Sequence, residues 1–119
     1  MDFEAAKALC RSFAGCTEDI KWGSSRVFSV GGKMFAATGI ETPTGAISFK
    51  VDDDRFLELT DRPGMIAAPY LARHKWVRIE RTDALSEREA HALLRRSYAL
   101  VLAKLTKKLQ RELGDWHDD

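Results

Sequence analysis

Net charge is nearly absent from this chain: nineteen Lys and Arg stand against eighteen Asp and Glu, a formal charge of +1. A dedicated nucleic-acid binder usually carries a clear positive excess, so any such activity here has to come from local patches. Long apolar runs are missing too, and none approaches the roughly 20 residues that a spanning helix requires, so no membrane partner is expected. The amino terminus places acids early, at Asp2 and Glu4, instead of a basic segment before an apolar one. That pattern argues against a secretory signal and gives a cytoplasmic expectation. Cysteine is scarce: Cys10 and Cys16 form neither a CxxC pair nor a Cys/His cluster, which favours buried, inert thiols over metal or redox work. Catalytic motifs are lacking as well. His74, His91 and His117 show no HExxH spacing, no GxSxG elbow occurs, and Gly31-Gly32 has the setting of a hairpin, not a phosphate loop. The expectation is a protein that is not an enzyme and holds no cofactor or metal.

What is present is an ordinary globular composition, 119 residues with 45% hydrophobic and 31% charged content, enough for one domain with its own core. That domain is expected over residues 1–114, followed by an acidic tail over 115–119. Phe3, Ala6, Leu9, Cys10 and Phe13 recur at helical spacing and predict a first helix, with Gly15 as its stop. Thr17 to Ser25 is polar apart from Ile20 and Trp22, and Glu18-Asp19 is read as loop. Strands are predicted over Arg26–Val30 and Lys33–Ala37 around the Gly31-Gly32 turn, then over Ala46–Val51 after Thr42-Pro43-Thr44-Gly45. Asp52 is placed to cap a short helix over Asp53–Asp61, which Arg62-Pro63-Gly64 ends. A further strand over Lys75–Arg81 sets Val77 and Ile79 on one face and Trp76, Arg78 and Glu80 on the other. Ser86 and Glu89 form a capping box, bracketed by Leu85 and Ala90, for a long helix whose stripe runs Leu94, Tyr98, Val101, Leu102, Leu105 and Leu109 to Gly114. Helix, strands, short helix, strand, long helix is the order of an α+β fold, an antiparallel sheet with helices packed on one face and the other face accessible.

Several of these segments resemble the MmcQ/YjbR family, small bacterial proteins often labelled DNA-binding. The matching marks are Trp22-Gly23, the hairpin from Val30 to Ala36, Ile47 to Lys50, Pro63-Gly64 through Ala68-Pro69-Tyr70, Trp76-Val77, Arg96-Ser97-Tyr98 and Ala103-Lys104-Leu105. The resemblance covers most of the chain and implies a frataxin/CyaY-like fold, with a DNA-binding role that rests on fold and label instead of a defined site.

Two basic surfaces follow from the residues. The first combines Lys50, Arg73, His74, Lys75 and Arg78 with Trp76, cations that can meet phosphates beside an aromatic ring able to stack or pack. The second is Lys104, Lys107, Lys108 and Arg111, a stripe at helical spacing, with Arg88, His91 and Arg95 forming a similar row earlier. Solvated outer faces would look the same. The functional expectation is weak, salt-sensitive nucleic-acid binding; the alternative is a protein partner docked on the Trp76-bearing face. Asp2 and Glu4 share the first helix with Lys7 and Arg11, so an acidic ridge for cations is largely missing; Glu18-Asp19 and Asp52-Asp53-Asp54 are read as a loop and a helix start, and Trp22, Tyr70 and Tyr98 as packing rather than as a ligand pocket.

Overall fold

The computed structural model describes residues 2–21, 25–39, 46–69 and 71–113. Among them, six strands form a single sheet: β1 (Cys16–Lys21), β2 (Ser25–Val30), β3 (Lys33–Gly39), β4 (Ile47–Lys50), β5 (Met65–Ala67) and β6 (Trp76–Ile79). Their order is β1-β2-β3-β4-β6-β5, and each neighbouring pair is antiparallel. The helices are α1 (Phe3–Ser12), α2 (Phe56–Thr60), α3 (Glu87–Leu102) and α4 (Lys107–Glu112). The expected α+β architecture is therefore present, with one core between sheet and helices. From the sheet it takes Phe28, Val30, Phe35, Ile47, Phe49, Val77 and Ile79; from α1 and α3 it takes Ala6, Cys10, Leu94 and Tyr98.

The β2–β3 turn closes on Gly31 and Gly32, both at positive φ (58° and 79°), which is the geometry a two-residue hairpin demands. Across this hairpin the register slips: Phe28 faces Ala36 while Ser29 faces Met34, so Phe35 is an extra, bulged residue. The bulge explains why Phe35 and Ala36, adjacent in sequence, are both buried in the same core. Ser97 of α3 completes it. Its hydroxyl donates to the Phe35 carbonyl at 2.6 Å and accepts the Lys50 amide at 3.0 Å, fastening the long helix to β3 and β4.

Several sequence expectations are corrected. Glu18 and Asp19 lie in β1, not in a loop; the strand is an edge, so neither of its faces has to carry a run of apolar residues. β5 also lies outside the predicted strands, because three residues are too short to show alternation. Asp52 makes no cap bond: its carboxylate takes a bidentate pair of bonds from Arg96, both at 3.0 Å, and the segment after it is a 3₁₀ turn, Asp53–Arg55, before α2. The long helix breaks between Leu102 and Lys107. There the Thr106 hydroxyl accepts the Leu109 amide at 3.2 Å and starts α4. The break lets the carboxyl-terminal segment fold down, with Leu105 against Gly31 and Leu113 against Gly15, two positions where an added Cβ would run into those leucines.

The second sheet face is less open than expected. Val27 and Trp76 turn away from the helix-side core by strand parity, yet they are 0% and 5% exposed. Trp22, Tyr70, Gly114, Trp116 and His117, together with the turn Thr42 to Gly45, lie outside the described residues.

Candidate functional site

β4 and β6 deliver the first basic surface to one end of the sheet. Lys50, the last residue of β4, pairs in register with Trp76, the first of β6. A 3₁₀ turn, Ala72–His74, leads into that strand, and Lys75 ends it in the left-handed region at φ 63°. Left-handed backbone costs a lysine about 1–2 kcal/mol, and here it is held by two hydrogen bonds, Lys75 amide to the Ala72 carbonyl and Val51 amide to the Lys75 carbonyl. Among the described residues Lys75 alone, glycines aside, adopts positive φ. Such strain concentrates where a side chain must be aimed in a particular direction.

The six expected site residues are brought together only in part. Arg73 and His74 are exposed neighbours, with Arg73 Nε 3.4 Å from His74 Nε2. Lys50 donates its ammonium to the His74 carbonyl at 2.7 Å, and Lys75 Nζ lies 5.1 Å from the centre of the Phe56 ring on α2. Arg78 sits further along, opposite Ser48 and Ile66 on the second sheet face, with Glu80 3.8 Å away. Trp76 is buried, so its indole packs and leaves little surface on which a base could stack.

The second basic surface is also rearranged. Lys104 falls in the segment between α3 and α4, while Lys107, Lys108 and Arg111 are on α4, so the four do not share one helix. The break moves Lys104 toward the strand cations. Burial holds the Lys50 ammonium below the ordinary lysine value, and the positive charge of Lys104 pushes it the same way, against the milder pull of Asp53 and Asp52. The charges of the two surfaces are therefore coupled through Lys50 and Lys104. Among the described residues no carboxylate forms an ion pair with Lys50, Arg73, Lys75, Lys104, Lys107, Lys108 or Arg111. In the earlier row, His91 Nε2 is 3.1 Å from a Glu87 carboxylate oxygen on the same helix.

Ser97, which seats Lys50, escaped the sequence reading as a site residue, although it stands out as one small polar residue in the buried stripe Leu94, Ser97, Tyr98, Val101. Tyr98 is fully buried and donates its hydroxyl to the Ala14 carbonyl, a core role. The thiols are unreactive in kind: burial first, then neighbouring negative charge, raises Cys10 to about 12 and Cys16 to about 11. Glu18 is occupied by Arg11 and Arg26, and among the described residues no three His, Cys, Asp or Glu side chains converge as a metal site would need.

Comparison with known proteins follows the same outline. The YjbR family model matches residues 11–100. The crystal structure of the Deinococcus radiodurans protein DR2400, a DUF419 domain, superposes with a TM-score of 0.83 at 27% identity, covering 93% of this chain and 86% of that one. A protein from Pseudomonas syringae shares the fold with a TM-score of 0.69 at 20% identity, covering 85% of this chain and 99% of that one. None of the curated proteins compared matches the chain.

Proposed function

The chain belongs to the YjbR family, and on that premise we propose that it is a non-enzymatic binding domain that engages nucleic-acid backbones through phosphate contacts at the Lys50 end of the sheet. Lys50, Arg73, Lys75 and Lys104 supply the charge, with His74 beside them. Arg78 is a secondary contact, and Lys107, Lys108 and Arg111 extend the surface along α4. Trp76 shapes the strand as a packed residue.

One observation carries the reading: Lys104 disfavours the charge on Lys50, and neither ammonium has a carboxylate partner among the described residues. Two cations whose charges oppose each other, with only the milder pull of Asp53 and Asp52 against them, form a site that an incoming phosphate relieves, because it supplies a directly paired anion. The near-zero net charge limits long-range attraction, so binding is weak and strongly salt-dependent. The alternative, a protein partner docked through Trp76, is less favoured because Trp76 is buried and no aromatic side chain is exposed among the described residues.

Fluorescence titration of labelled single- and double-stranded DNA and RNA, at a series of salt concentrations, tests the proposal. On duplex DNA, three or four phosphate contacts give a slope of log K against log salt of about −3. Absence of salt-dependent binding to every one of these polymers at low salt overturns it.

A further inference from the structure

Of the aromatic side chains among the described residues, Phe56 alone is not buried. Helical spacing accounts for it: on α2 the ring lies between the direction of Leu59, fully buried one turn later, and that of Leu57, 79% exposed one residue later. The ring packs in part against the core, and Lys75 Nζ stands over its face at 5.1 Å. The backbone of that lysine is left-handed, and its carbonyl accepts the Val51 amide at 2.8 Å. Lys75 and the ring beneath it therefore sit beside the end of β4, next to Lys50.

Resting on the phosphate-binding reading above, we infer that Phe56 is a stacking platform for one base of a single-stranded nucleic acid, with Lys75 taking a phosphate of the same strand. Cations that track a backbone, set beside an aromatic face, are the combination by which single strands are held without regard to sequence. Trp76 is too deeply buried to supply that face, and Phe56 is the described ring at this end of the sheet that retains accessible surface. An ammonium over a ring near the surface is weakly held, whereas a phosphate offers it a full negative charge. An incoming strand thus draws Lys75 off the ring and frees the face for a base. Bases within a duplex are already stacked on one another, so the ring adds affinity for single strands alone.

Fluorescence titration with two labelled single-stranded oligonucleotides of equal length, oligothymidylate and an abasic strand with the same phosphates, tests this. The wild type should bind oligothymidylate about tenfold more tightly, the advantage that one stacked base supplies. Phe56→Leu, which keeps an apolar side chain against the core and removes the ring, should erase that advantage; Phe56→Met serves the same purpose should the leucine variant not fold. A variant that is partly unfolded loses affinity for both strands alike, so the ratio still reports the ring. Lys75→Gln should weaken both strands and keep the ratio, because it removes a phosphate contact and leaves the ring in place. If neither strand binds the wild type at low salt, the phosphate reading falls and the stacking site with it. If both strands bind equally well, if the ratio survives removal of the ring, or if Lys75→Gln abolishes it, the phosphate reading stands and the stacking site is overturned.

Discussion

Two charged regions of this domain use the same residue types to opposite ends. At the β1 side, Glu18 receives Arg11 through two bonds, at 2.8 and 3.0 Å, and Arg26 through a third, while the Arg11 guanidinium lies 5.9 Å from the centre of the Phe28 ring. This knot fixes α1 to the sheet. Three strands across the sheet, at β4, Lys50 feels the charge of Lys104, with no carboxylate paired to either among the described residues. A count of charges cannot separate the two regions, and a total of +1 hides the second one. Partnership separates them: a cation with its anion already in place is committed to the fold, and one without is open to a ligand.

The sharpest way to break the comparison leaves every charge in place. Ser97→Ala removes the hydroxyl that serves both the Phe35 carbonyl and the Lys50 amide. With two buried backbone groups unpaired, the cost is about 2–4 kcal/mol, read as a fall in melting temperature of roughly 10 °C. Because Lys50 loses its seat, nucleic-acid affinity drops as well. Glu18→Gln ranks next, at about 1–2 kcal/mol at neutral pH after allowing for partial exposure. Bonds from Arg11, then Arg26, hold the Glu18 carboxyl at about 2, below the ordinary 4.5. A depressed folded-state value stabilises above the unfolded value and is lost as pH falls from about 4.5 toward 2. Denaturation of wild type and variant should thus converge over that window, while binding at pH 7 is unchanged. The third test is the converse. Replacing Lys50 and Lys104 together by Gln should lower the salt slope by about 2 and leave stability at neutral pH unchanged or slightly raised. If Glu18→Gln weakens binding as much as the lysine pair does, partnership is not what distinguishes the regions.

The sequence made legible whatever depends on local chemistry. The Gly31-Gly32 turn, the Ser86 cap with its bond from the Glu89 amide, and the inward parity of Val77 and Ile79 stand as expected. It concealed what depends on distant partners. Asp52 looks like a helix cap by position, but Arg96, 44 residues later, takes its carboxylate. β1 is polar because an edge strand can be, so no apolar alternation marked it. The stripe Leu102, Leu105, Leu109 runs evenly in the sequence through a real break: Leu105 is buried just before the chain restarts at Thr106, while Leu109, on α4, is exposed. That break is what relocated Lys104, so the composite site could not be assembled from helical spacing. Trp76 shows the same limit: parity gave its face, and only the fold gave its burial.

The smallest expected effect is also the most direct probe of the site. Lys104→Gln removes the charge that opposes protonation of Lys50 and leaves the burial that contributes most to the depression. Lys50 should then titrate at higher pH than in the wild type, still below an ordinary lysine, as followed by NMR of its ε-methylene group. The sign carries through to stability. A lysine depressed in the folded state binds fewer protons than in the unfolded chain, so it destabilises while both are charged, and that penalty fades as pH rises toward the unfolded value. The variant should therefore gain slightly over wild type at neutral pH and lose the advantage in strong base. An oligonucleotide bound to the wild type should raise the Lys50 titration in the same way, because a phosphate does with an added anion what the substitution does by subtracting a cation. If Lys104→Gln shifts Lys50 and the oligonucleotide does not, the two lysines repel each other for reasons of packing, and the phosphate lies elsewhere.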